Sequence, residues 1–201
     1  VYEPGSDAAA REVLRLVLTD LTRRGLAPDF DESLHPIDAA GRLVQEDLVV
    51  MERQERGWVL TSASVCFPTR WDLRSKLGKT MDEIHEPVPQ YAEMVGPTVN
   101  RFFDRLHVGR LVWRPNWSLV ADPRLRLDPP HRDDQLTVPS DPGTDLWLRV
   151  ERQSVRRLVE NPDAVCFTVR VHRWPLLEIL DDLRGSAFAD ELAAVPIDVA
   201  E

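Results

Sequence analysis

The amino-acid sequence predicts an α+β fold, with helices at both ends of a mainly antiparallel sheet. Apolar residues recur at helical spacing near the start of the chain and again near its end, whereas the runs between them alternate as strands do. No internal repeat or low-complexity tract interrupts this pattern.

Ser6 or Asp7 caps a first helix that runs to about residue 24. Val13, Leu14, Val17, Leu18 and Leu21 share its face, and Gly25 stops it. A Pro/Asp loop leads to a second short helix over 37–45. Residues 47–51 and 57–67 alternate as strands around a polar hairpin loop, and Pro68 ends the second. Residues 69–91 are expected to be loop-rich, because Pro87 and Pro89 exclude regular helix there. Long irregular segments in compact domains often carry function. Tyr91 or Pro97 begins a helix to Leu106, with Val95, Val99, Phe102, Phe103 and Leu106 on one face and Gly109 closing it. Strands follow over 110–120, 146–153 and 164–171, with a Pro/Asp-rich loop over 122–143 and a last helix from Pro175 to about Leu183.

At 201 residues the chain fits one domain with a core large enough to enclose a cofactor. A net charge of −9 argues against nucleic acid or an anionic membrane surface as partner, since either needs clustered Lys and Arg. A small molecule or a protein is the expected partner. Cys66 and Cys166 match neither a disulfide framework nor a zinc cluster, which favours a reduced, cytoplasmic setting. No apolar run is long enough to span a bilayer, and no signal peptide opens the chain. The start at Val1-Tyr2-Glu3-Pro4 is read as that of a processed or trimmed chain.

His85 is the histidine embedded in the densest local pattern, on a loop that two prolines hold and that can aim an imidazole with little entropy left to lose. Imidazole is a standard proximal ligand of haem iron; a surface or capping histidine is the alternative. Arg70, Lys76 and Lys79 lie close by in sequence and can pair with propionates, or form a solvated surface. Trp71, Trp113 and Trp117 can wall an apolar macrocycle, although core packing accounts for them equally well. Alternation places Arg149, Glu151 and Gln153 on one strand face, where Arg149 and Glu151 can supply a cation and a proton acceptor beside iron-bound oxygen or an amine. An exposed edge strand with an Arg/Glu pair is the alternative. Cys66 and Cys166, in strand-like apolar surroundings, rank below His85 as iron ligands because such cysteines behave as small buried hydrophobes. His35, His107, His131 and His172 form no pair at metal-ligand spacing. Dinucleotide, phosphate-loop and nucleophile-elbow motifs are absent from the sequence.

Six ordered motifs resemble the haem-dependent oxidative N-demethylase alpha-subunit family: Gln45-Glu-Asp-Leu48, Cys66-Phe-Pro-Thr-Arg-Trp71, the stretch from Lys76 to Pro89, Arg114-Pro-Asn-Trp117, Arg149-Val-Glu-Arg-Gln153 and Phe167-Thr-Val-Arg170. The resemblance covers roughly residues 45–180 and is poor in the N-terminal third. It implies a PAS-like antiparallel sheet flanked by helices and enclosing a pocket for haem b, within one domain over 1–201. Residues 1–45 would then be a helical N-terminal extension, 46–185 the core and 186–201 a C-terminal tail. It further implies removal of a methyl group from a secondary amine with O₂, through a carbinolamine or imine that releases formaldehyde. Electrons would come from an external flavin/iron–sulfur partner, since two cysteines cannot ligate a four-cysteine cluster and no flavin fingerprint is present. A gas sensor or a cofactor-free structural subunit are the rival readings.

Carried over by motif, His85 is the axial metal ligand. Glu151 and Arg149 match the Arg-x-Glu-Arg-Gln segment and are implied to be the catalytic pair, and from the residues themselves Arg70, Lys76, Lys79, Trp71 and Trp117 are expected to hold the cofactor. Thr69 stands where the family tends to have Ser, and His172 where it tends to have Tyr.

Overall fold

The alternating segments close into a five-stranded antiparallel sheet in a computed structural model that describes residues 1–86, 96–129, 140–179 and 190. Its strands are β1 (Asp47–Gln54), β2 (Gly57–Ser64), β3 (Leu111–Val120), β4 (Trp147–Arg157) and β5 (Ala164–Pro175), in the order β2-β1-β5-β4-β3. The first and last strands therefore meet at the centre, and β2 and β3 form the two edges.

Six helices complete the described residues: α1 (Asp7–Arg23), α2 (Pro36–Leu43), α3 (Met81–Ile84), α4 (Gly96–Arg105), α5 (Pro142–Asp145) and α6 (Leu176–Ile179). Together with the sheet they make the expected α+β architecture. None of them is long and apolar enough to cross a membrane.

Several boundaries differ from expectation for identifiable reasons. β1 continues to Gln54, so the hairpin tightens to a short turn whose Gly57 has φ 125°. β2 stops at Ser64 because Asp47 takes the next backbone N–H groups, those of Cys66 and Phe67. Cys66 is consequently exposed rather than a buried hydrophobe, while Cys166 is buried and its thiol is pushed up to about 12 by desolvation. The last helix begins at Leu176 rather than Pro175, and its expected end at Leu183 lies outside the described residues, as do Pro87, Pro89, Tyr91 and His131.

Strand alternation divides the core between the two sheet faces. On one face Leu48, Val50, Ala164 and Cys166 pack against Ala9, Ala10 and Val13 of α1 and Ile37 and Ala40 of α2. A Cβ on Gly41 would lie 2.1 Å from the Ser64 hydroxyl, which explains a glycine inside α2. On the other face Val49, Met51, Trp58, Leu60, Val155 and Val165 pack against Phe103 of α4 and Leu106 just beyond it. Asp104 of α4 accepts from the Trp58 indole at 3.0 Å and pairs with Arg53 at 2.9 Å, fixing the helix over the β1–β2 hairpin.

The edges are treated unequally. Residues 1–3 and 78–80 run along β2 and take up its outer hydrogen bonds, including Glu3 N to Thr61 O and Leu60 N to Lys79 O. β3 is the other edge, and Pro115 in its middle has no N–H to offer a further strand.

α1 is locked to the β4–β5 turn by Glu12, which is 3% exposed and accepts from the backbone N–H groups of Val159, Glu160 and Asn161 at 2.6–3.1 Å. Burial raises its proton affinity, but these bonds and one from the Asn161 side chain at 2.9 Å outweigh that and hold the carboxyl below its ordinary range. Glu12→Ala leaves those donors buried without an acceptor and is expected to destabilise the fold by about 3 kcal/mol. Chemical denaturation monitored by circular dichroism measures this.

Candidate functional site

The face of the sheet beneath α4 changes character along its strands. Near Val155, Val165 and Met51 it is apolar; two to six residues further along it presents Gln153, Glu151 and Arg149 on β4, Arg114 and Asn116 on β3, and Asp47 on β1. All six occupy positions of one alternation phase, so the register gathers them into one polar lobe.

Arg149 is the centre of the lobe and is 1% exposed. Its guanidinium donates to the carbonyls of Phe67 (3.0 Å) and Leu125 (2.8 Å) and to the Thr69 hydroxyl (3.1 Å). Thr69 passes the interaction on by donating to Glu151 Oε1 at 2.7 Å. The other carboxyl oxygen of Glu151 accepts from Gln153 Nε2 at 2.9 Å and Asn116 Nδ2 at 3.5 Å, and Arg114 donates to Gln153 Oε1 at 3.0 Å. Two relays, Arg149–Thr69 and Arg114–Gln153, thus hold Glu151 from opposite sides. An Arg149–Glu151 ion pair at 3.7 Å closes the first.

Asp47 completes the lobe. It is 4% exposed and accepts from the N–H groups of Cys66 and Phe67 at 2.6 and 3.1 Å. Desolvation raises its pKa to about 6; the two backbone bonds and Arg149 oppose the rise and Glu151 adds to it. Burial likewise lowers the pKa of Arg149, against Glu151 and Asp47, which raise it.

His85 is set by a one-turn helix that the sequence encodes. Thr80 and Glu83 form a reciprocal capping box, Thr80 N to Glu83 Oε2 at 2.7 Å and Glu83 N to Thr80 Oγ1 at 3.3 Å, and His85 caps the other end of α3. The imidazole is half-buried, with Nδ1 2.8 Å from the Met81 carbonyl. A carbonyl only accepts, so Nδ1 carries the proton and the neutral ring has its lone pair on Nε2. Burial depresses the pKa of His85 below the ordinary value, and Lys76 and Arg114 push the same way against Met81 and Asp82. Arg114 therefore acts on His85 through its field and on Glu151 through Gln153.

The remaining candidates separate. Lys76 donates from Nζ to the Ile84 carbonyl at 2.7 Å, bracing the turn next to His85. Lys79 and Trp71 are half-buried in the same segment, and Arg70 is exposed, with φ 59°, the one non-glycine residue with positive φ among those described. Its N–H bonds to Leu127 O, and Leu127 N to Pro68 O, which ties 68–70 to 127. Such a sparsely populated conformation persists only where neighbours impose it. Trp113 and Trp117 do not wall this lobe. They alternate with Arg114 and Asn116 and so stand on the opposite sheet face, 66% and 40% exposed. His172 lies on that face too, stacked on Trp174 with centroids 5.7 Å apart.

Sequence reasoning missed Asp47, Thr69 and Asn116 as members of the site. The signals were present: Asp47 shares the inward phase of Val49 and Met51, and Asn116 that of Arg114. Thr80-Met-Asp-Glu83 is a capping box written in the sequence. Among the described residues no cluster of three or more His, Cys, Asp or Glu is arranged to hold a bare metal ion.

A family model described as haem-dependent oxidative N-demethylase, alpha subunit-like matches residues 25–201. The match begins well before residue 45, so α2 and the loop leading to it belong to the matched region along with the motifs.

Asp47 supplies a pH test of the lobe. Its folded pKa lies above the unfolded value, so the stability it contributes is complete below about pH 4 and is lost as pH rises through about 6. Asp47→Asn keeps an acceptor for Cys66 and Phe67 but cannot titrate. The stability difference between wild type and Asp47→Asn should shift against wild type by about 2–3 kcal/mol from pH 4 to pH 8, as read from urea denaturation at each pH.

Proposed function

The chain belongs to the haem-dependent oxidative N-demethylase, alpha subunit-like family, and on that premise we propose that it binds haem b and removes a methyl group from a secondary amine with O₂, releasing formaldehyde. The observation that carries this reading is His85. It has the protonated Nδ1 on a backbone carbonyl, the lone pair on Nε2 and a pKa depressed by burial, which is the tautomer, support and charge state that iron ligation by imidazole requires.

The rest of the lobe fits the same group. The strand order β2-β1-β5-β4-β3, with α3 and α4 crossing one face between β2 and β3, supports a PAS-like core that opens its polar lobe beneath the helical cover. Bound haem would supply the iron at which dioxygen is activated. Arg70, Lys76 and Lys79 would be the cations for its propionates, Lys76 Nζ donating meanwhile to the Ile84 carbonyl, and Trp71 would offer the flanking aromatic surface.

Glu151 is the group that meets the amine. Held by Thr69, Gln153 and Asn116, its carboxyl can orient the substrate nitrogen and accept its proton without first reorganising. Arg149 is a positioning residue, since its own donors are engaged by Phe67, Leu125 and Thr69. Electrons come from a separate flavin or iron–sulfur subunit.

The spectrum of the purified protein tests the cofactor. A Soret band that shifts on dithionite reduction and CO addition is expected, and His85→Ala should move the ferric band and weaken haem binding more than about tenfold. An unchanged band and affinity in His85→Ala overturn the ligand assignment.

Glu151→Gln should keep haem affinity while formaldehyde release from a panel of N-methylated secondary amines falls by about 10²–10⁴-fold. Undiminished turnover overturns the proton-acceptor role.

A further inference from the structure

The sheet face opposite the polar lobe carries a second organised surface at its β3–β4 end. Register stacks three rows across β3, β4 and β5: Leu111, Arg156 and Cys166; Trp113, Ser154 and Thr168; Pro115, Arg152 and Arg170. Trp113 is 66% exposed and Leu111 57%; Leu111 pairs with Arg156, and Trp113 stands in the row between those of Arg152 and Arg156. Tryptophan and arginine are the side chains most enriched where protein surfaces bind each other.

Charge identifies the kind of partner. Arg152 and Arg170 lie directly opposite each other on adjacent strands, an arrangement that costs stability unless an anion stands between them. Glu46 is the carboxylate close to both, at 3.9 and 3.3 Å. Arg156, four residues along β4, has a buried Nε with no hydrogen-bond acceptor among the described residues. Two guanidinium groups thus share one carboxylate, in a chain whose net charge is −9. A face this basic on a protein this acidic is complementary to carboxylates. The edge strand points the same way, since β2 is covered by residues 1–3 and 78–80 whereas β3 has no further strand beside it among the described residues.

We propose that this Trp113-centred face docks a partner subunit that presents carboxylates around an apolar recess for the indole. The proposal rests on the family being that of an alpha subunit and not on the haem reading, so the two fail separately.

The test uses the tagged full-length chain purified from its native host with whatever chains accompany it in fixed ratio. Trp113→p-benzoylphenylalanine is irradiated in that complex and the cross-linked peptide identified by mass spectrometry. Arg152→Glu is compared with Arg105→Glu, an equal charge reversal at an exposed position of α4, which covers the opposite face of the sheet. Expected are a cross-link to an Asp/Glu-rich peptide of a different subunit and about tenfold weaker, less salt-sensitive association in Arg152→Glu, with Arg105→Glu unchanged. Purification without a second chain, a cross-link only to residues 180–201 or to a second copy of this chain, or equal effects of the two reversals overturn it. Should Arg152→Glu fail to fold by circular dichroism, Arg152→Gln replaces it, with the cross-link unaffected.

Discussion

A guanidinium buried in the sheet is the constraint on which the rest of the site depends. Arg149 is almost without solvent, and a charge so placed is tolerable only if its donors and its field are answered. The carbonyls of Phe67 and Leu125 and the hydroxyl of Thr69 answer the donors; Glu151 and Asp47 answer the field. Because those acceptors come from two connecting segments, satisfying Arg149 also fixes the chain after β2 and the chain after β3 against β4. The Leu127 bonds to 68 and 70, and the unusual φ of Arg70 between them, follow from bringing those segments together over one side chain.

That same dry setting moves acids and bases in opposite directions. Desolvation disfavours whichever form is charged, so the Asp47 carboxyl holds its proton more tightly while the His85 imidazole holds its own less tightly. Desolvation therefore accounts both for a carboxyl whose pKa rises to about 6 and for a histidine whose pKa falls. Arg114 links Glu151 to His85: through Gln153 it helps hold the carboxylate, and its field lowers the proton affinity of the imidazole.

Most elements were legible because burial is written in periodicity. The face of α1 follows from helical spacing, and the strand set from alternation. Side-chain phase was harder. Arg149, Glu151 and Gln153 were placed together because they lie on one strand, whereas Trp113 and Trp117 were assigned by chemistry to the same pocket although their odd positions oppose Arg114 and Asn116 on β3. Counting phase along 111–120 would have separated them. Asp47 shares the legible inward phase of Val49 and Met51, but Thr69 was illegible for another reason: its role depends on which guanidinium and which carboxyl lie near it, and that is set by sheet order, which local sequence does not encode. Cys66 failed in the same way, since its exposure follows from Asp47 ending the β2 ladder.

Alternation also explains how one sheet can serve two surfaces without interference. Val150 separates Arg149 from Glu151 on β4, and Arg152 separates Glu151 from Gln153, so each intervening residue belongs to the far face. The two surfaces are thus one strand's thickness apart yet share no side chain. A register slip of one residue would exchange them wholesale, exposing the Arg149 lobe and burying Arg152 without an acceptor. The irregularity between Val50 and Met51 in the β1–β2 ladder absorbs the count on the far side of the sheet, and β1 keeps an unbroken pairing with β5. The phase that gathers Asp47, Glu151 and Arg149 is therefore fixed at the sheet centre, where both neighbours of β5 agree on it.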